Sequence, residues 1–252
     1  MENLPTPSSD LYSAEIHRLA LDFKRANGPV MSSVNRLGGS FEKQLSLIPQ
    51  SYRSQIEAIV ESGLKASLSL ASQADRLPDA GPKGRLAAAV AAGAAGGAGG
   101  IATAVAELPL TITLILNAIR VEARLAGFDP NDPDIRLECI RTFGAGSPLE
   151  SDDGINTSFL SARLTLTGPA VQKVLSAVAP RLATAFGQKL AAQTVPILGA
   201  LTGAALNAAF LNYYKEIARI RFALLRMANS HGAERVLADF SKAVEKPVLK
   251  RA

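Results

Sequence analysis

Apolar residues recur along this chain at helical spacing. Leu11, Ile16, Leu19 and Phe23 predict a first helix over about 11–26, capped by Asp10, behind a loose tail over 1–8. Gly28-Pro29 ends it, and Gly38-Gly39 marks a loop. Ile56, Ile59, Val60, Leu64 and Leu68 predict a second helix over about 51–76, closed by the breaker Leu77-Pro78-Asp79-Ala80-Gly81-Pro82. An alanine- and glycine-rich helix follows. Pro109 then opens another, standing in the first turn where proline is favoured. Asp132-Pro133 supplies the cap and first residue of a helix carrying Ile135, Cys139 and Ile140. Residues 144–154 read as a loop, and Gly168-Pro169 starts a further helix. Residues 190–227 read as one long helix kinked at Pro196, and Asn229 to Gly232 separates a short tail helix. The stretch 155–166 suits either helix or strand. The pattern predicts an all-α protein: a single-domain compact helical bundle over 9–230 with a basic C-terminal helix or tail over 231–252.

Composition narrows the class. The chain has 252 residues, 48% hydrophobic and 19% charged, with a mean hydropathy of +0.16. That excludes a disordered, solvating chain. A single cysteine, Cys139, excludes a disulfide framework and a thiolate-rich zinc site; His17 and His231 are too few for a histidine-built one. No metal and no cofactor is therefore predicted. Met1-Glu2-Asn3-Leu4-Pro5 shows no secretory pattern, which suits the cytoplasm. The uncharged run Leu86 to Ala106 would make about 32 Å of helix, enough to span a bilayer, but alanine and glycine dominate it. Leu110 to Ile119 is greasier and only about 15 Å long. Leu190 to Leu211 carries Gln193, Pro196 and Asn207. A greasy soluble protein is the reading placed ahead of an integral membrane protein.

Within the alanine run, Gly93, Gly96, Gly97 and Gly100 recur at spacings of three and four, so they line one helix face. Each helical glycine costs about 1 kcal/mol against alanine, so counting Gly99 the run costs on the order of 5 kcal/mol, as much as some domains' whole stability. Close backbone approach by another helix explains that expense, and Gly199 to Gly203 offers the partner. The two small-residue helices are predicted to pack closely in the core. Gly97-Ala98-Gly99-Gly100-Ile101-Ala102 also fits a relaxed dinucleotide fingerprint, but no strand precedes it.

Glu107 is the only charged residue between Arg85 and Arg120. Pro109 places it at a helix junction, on the glycine face if the helix persists that far. An unpaired buried carboxylate costs several kcal/mol, so Glu107 must be protonated, paired or exposed. Thr113, Asn117, Arg120 and Arg124 form a narrow polar line on the next helix. On the long C-terminal helix Asn212, Lys215, Glu216, Arg219 and Arg226 form a solvated face. Asn207, Tyr214 and Arg221, spaced by seven, fall within the opposite arc of Phe210, Ile217, Leu224 and Leu225. Arg221 therefore points inward, where guanidinium prefers a carboxylate. The expectation is a pair between Glu107 and Arg221, or Arg120, at the bottom of a polar seam of Glu107, Asn117, Arg120, Asn207, Tyr214 and Arg221. Such a seam is either a structural ion pair or a ligand or catalytic site. No catalytic residue is assigned. Cys139 reads as a small core hydrophobe, and both histidines as surface residues.

From Lys215 to Arg251 stand nine Lys or Arg against four Asp or Glu, a surplus equal to the whole net charge of +5. Lys242, Lys246, Lys250 and Arg251 follow an amphipathic stretch with Val236, Leu237 and Phe240, a patch suited to an anionic membrane surface. Nucleic acid is not predicted as a partner: aromatic content is 5% with no Trp.

The blocks Gly96-Gly97-Ala98-Gly99-Gly100-Ile101, Ala106-Glu107-Leu108-Pro109-Leu110-Thr111, Gly127-Phe128-Asp129, Arg136-Leu137-Glu138-Cys139, Lys189-Leu190-Ala191-Ala192-Gln193 and Gly203-Ala204-Ala205-Leu206-Asn207 resemble the EcsC family over roughly 40–230. The resemblance implies a bacterial, intracellular protein of unsettled activity, named from an operon that also encodes an ABC transporter. The chain departs from the family at the C-terminal helix, where members often carry histidines and this chain has Tyr213 and Arg221. Three functions follow as expectations. The first is a non-enzymatic accessory protein, peripheral on the inner membrane face, that binds lipid or a hydrophobic partner. The second is a hydrolase-like enzyme with Glu107 in its site, and the third an integral membrane protein. The oligomeric state is left open.

Overall fold

A computed structural model describes residues 7–26, 49–69, 81–98, 101–144, 171–193 and 199–245. Among these residues the chain forms eight helices and no strand: α1 Pro7–Ala26, α2 Gln50–Ser69, α3 Gly81–Ala98, α4 Ile101–Leu125, α5 Pro133–Phe143, α6 Val171–Gln193, α7 Gly199–His231 and α8 Ala233–Glu245. The all-α expectation holds. The expected breaks at Gly28-Pro29 and Gly38-Gly39, the ambiguous 155–166, Gly100 and Pro196 lie outside the described residues.

Local chemistry accounts for several boundaries. Asp132 caps α5 as its sequence position implies: its carboxylate accepts from the N–H groups of Asp134 at 2.8 Å and Ile135 at 3.3 Å, with Pro133 in the first turn. Gly232, at φ +85°, makes the left-handed turn between α7 and α8. Asp10 lies inside the first turn of α1 rather than capping it.

One expectation needs correction. Pro109 does not open a helix; α4 begins at Ile101 and runs through it. Proline inside a helix costs about 3 kcal/mol. Leu108, Ile112, Ile115 and Ile119 are all essentially fully buried, and each contributes about 1.5–3 kcal/mol, so continuous burial outweighs the missing N–H. Residues 190–193 lie in α6 and 199–227 in α7; the expected kink at Pro196 falls between them, outside the described residues.

Helix α7 is the axis around which the others gather: α1, α3, α4, α5, α6 and α8 all touch it. Its Phe210 stacks with Phe186 of α6 at 5.9 Å, and its Tyr214 meets Phe143 of α5 edge-on at 4.9 Å. Helices α3 and α4 fold into an antiparallel hairpin against it. Gly96, near the end of α3, faces Ala104 and Glu107 near the start of α4. Helix α8 lies on α1, where Phe23 and Phe240 meet edge-on at 5.8 Å. One stretch, Ala102–Leu125 of α4, is long and apolar enough to cross a membrane, and 56% of its most apolar part is buried within the protein.

Candidate functional site

The glycine crossing of α3 and α7 positions the polar side chains around it. Gly93 and Gly203 meet backbone to backbone: a methyl group on either would run into the other's carbonyl oxygen, and one on Gly203 would also stand 3.2 Å from the Cα of Gly97. Asn207 lies four residues beyond Gly203, hence on the same face of α7. The closeness of the two backbones carries its side chain over α3. There Asn207 Nδ2 donates to the carbonyl of Ala89 at 3.0 Å and to Oε1 of Glu107 at 2.7 Å. Gly93 clears the way, since a Cβ there would lie 2.9 Å from Asn207 Cγ.

Glu107 is buried on the α3-facing side of α4. Thr111, one turn later, donates its hydroxyl to Oε1. Gly96 leaves room for the carboxylate: a Cβ on it would lie 2.9 Å from Oε2. The cation is Lys189 of α6, whose Nζ stands 3.1 Å from Oε2 and 3.4 Å from Oε1 and whose side chain is fully buried. Loss of hydration on burial lowers the Lys189 pKa, and the neighbouring Glu107 charge opposes that shift. Asn207 Oδ1, enclosed with the pair, has no hydrogen-bond partner among the described residues. The cluster thus ties α3, α4, α6 and α7 together at one buried point.

The expected seam is divided between separate places. Glu107 and Asn207 come together, but the cation is neither Arg221 nor Arg120. Arg221 does point inward, at 1% exposure, and its Nε donates at 2.6 Å to Glu138 of α5, itself buried and also held by Arg141 at 3.1 Å. Glu138 is the nearer carboxylate, because α5 rather than the hairpin packs beside that turn of α7. Arg120 reaches Asn131 at 3.0 Å. Tyr214 belongs to the aromatic cluster, Asn117 is half-buried, and Thr113 and Arg124 are exposed. Among the described residues no group of His, Cys, Asp or Glu is arranged to hold a metal.

Sequence reasoning missed Lys189, Thr111 and Glu138. A signal existed for Lys189: Leu182, Phe186, Lys189 and Leu190 fall at i, i+4, i+7 and i+8, so the lysine lies within an apolar stripe, as Arg221 does.

The hairpin also has an outer surface. Leu86, Ala87, Val90 and Ala91 of α3 are exposed, as are Ala106, Pro109 and Leu110 of α4. Because Glu107 turns inward, no charged side chain between Arg85 and Arg120 faces solvent. The cations Lys83, Arg85, Arg120 and Arg124 stand where α3 begins and α4 nears its end, at the base of the hairpin away from its tip.

The EcsC protein family model matches residues 31–227. The chain belongs to the EcsC protein family. No curated protein and no solved structure matches it. Both buried ion pairs, the glycine crossing and the whole hairpin fall within the part matched to EcsC, whereas α1 and α8 lie outside it.

Proposed function

We propose that this EcsC protein is a membrane-peripheral protein that docks on a lipid bilayer through the α3–α4 hairpin, without crossing it. One observation carries the reading: the single charge within the hairpin's long uncharged stretch is turned into the core and neutralised by Lys189. The outer surface is thereby left wholly uncharged. An exposed apolar surface of this kind marks an interaction site. The cations at the hairpin base suit the headgroup layer and the uncharged tip the acyl layer. From Arg85 to Ala98, α3 rises about 20 Å, less than the roughly 30 Å hydrocarbon core, so the hairpin reaches into one leaflet only. An accessory role beside an ABC transporter is an added expectation of the family resemblance, tested by co-purification.

Vesicle flotation tests the docking. The protein is expected to float with phosphatidylcholine vesicles and to be released by alkaline carbonate. Val90→Gln and Leu110→Gln together are expected to abolish flotation while leaving the fold intact. Wild-type protein that stays in the dense fraction, or that resists carbonate, overturns the reading.

A further inference from the structure

We infer that the groove between α1 and α8 binds a phosphate group. Its volume is about 350 Å³, and Ile16 and Ala243 contribute apolar lining. Arg235, Asp239 and Lys242 lie at i, i+4 and i+7 of α8, so they share one face, and Tyr12 and His17 of α1 line the same space. The lining carries two permanent cations and one carboxylate. That carboxylate is engaged: the Tyr12 hydroxyl donates to Asp239 Oδ2 at 2.9 Å. Arg235 is positioned over the Tyr12 ring, its guanidinium carbon 5.0 Å from the centroid, and its Nε is 3.8 Å from Asp239. The arginine is thereby oriented along the groove with donors to spare. Lys242 and His17 have no ion-pair or hydrogen-bond partner among the described residues.

A guanidinium, an ammonium and an imidazole stand around one space with Asp239 as its single carboxylate, so the donors and positive charges outnumber the resident acceptor. Phosphate oxygens satisfy such donors best, guanidinium by a two-pronged contact and ammonium as a point charge. The groove is built on α1 and α8, the hairpin on α3 and α4, so each can fail independently.

The shared chemistry has two sources, a soluble phosphate compound or a lipid headgroup, and two experiments separate them. The variant is Arg235→Gln with Lys242→Gln. The control is Lys173→Gln with Arg181→Gln, which removes the same charge from exposed positions of α6. In the first experiment inorganic phosphate is titrated at constant ionic strength and followed by thermal shift. In the second, flotation compares phosphatidylcholine vesicles with vesicles that also contain phosphatidic acid. A phosphate-dependent shift seen in wild type and control but lost in the variant assigns a soluble phosphate. Enhanced flotation on phosphatidic acid that falls about fivefold per charge in the variant but not in the control assigns a headgroup. Variant and control behaving alike in both experiments overturns the site. Flotation on phosphatidylcholine alone reads the hairpin, and is expected to be the same in variant and control.

Discussion

Lys189 Nζ lies 3.1 Å from Glu107 Oε2, joining α6 to α4 through residues 82 positions apart in sequence, both side chains buried. A buried pair costs desolvation on both sides, so its presence does not make the protein more stable than an apolar pair would. Breaking it on one side does have a large effect. Lys189→Met leaves a carboxylate uncompensated and is expected to cost about 3–5 kcal/mol in denaturant unfolding. Glu107→Gln is expected to cost less, since an amide still accepts from Thr111 and Asn207. Glu107→Gln combined with Lys189→Met is expected to recover much of the loss. Single variants within about 0.5 kcal/mol of wild type would sink the pair as a structural element.

The crossing of α3 and α7 is legible in the sequence because its signal is an expense: glycines at spacings of three and four inside a helix make no sense without close approach. The inward Arg221 is legible because a cation within an apolar arc has few exits. Partners are a different matter. Which carboxylate meets Arg221 depends on which helix packs beside it, and that follows from the arrangement of α5, α6 and α7, not from spacing along α7. Pro109 misleads for a related reason. The local rule for proline is sound, but the apolar face running from Leu108 to Ile119 overrides it by several times its cost.

Gly203→Ala turns on the sign of its effect. On an open helix, glycine to alanine stabilises by about 1 kcal/mol. Here the new methyl overlaps the carbonyl oxygen of Gly93, and backbone cannot rotate away as a side chain can. The expected outcome is a loss of about 2 kcal/mol or more. Any gain in stability would mean that the helices do not cross here.

Cys139 is expected to be inert in the native protein. It is 3% exposed, and burial pushes its thiol up to about 12, so almost no thiolate forms at neutral pH. Reaction with a thiol-specific reagent is expected to proceed at the rate of unfolding, and in denaturant at that of an ordinary cysteine. Rapid labelling without denaturant would contradict the burial of α5.

The lowered Lys189 pKa carries a stability signature whose sign can be worked out. Over the interval from its folded value to the ordinary 10.5, the unfolded chain holds a proton on this lysine that the folded chain has released. Stability rises with pH wherever the unfolded state binds more protons. Wild type is therefore expected to gain on the Glu107→Gln, Lys189→Met double variant as the pH climbs through that interval. Every other lysine titrates in both proteins and cancels in the difference. Unfolding free energies of the two proteins, measured side by side across the alkaline range, give the slope. A difference that stays flat, or that turns against wild type, would mean that the ion pair outweighs desolvation and holds Lys189 charged.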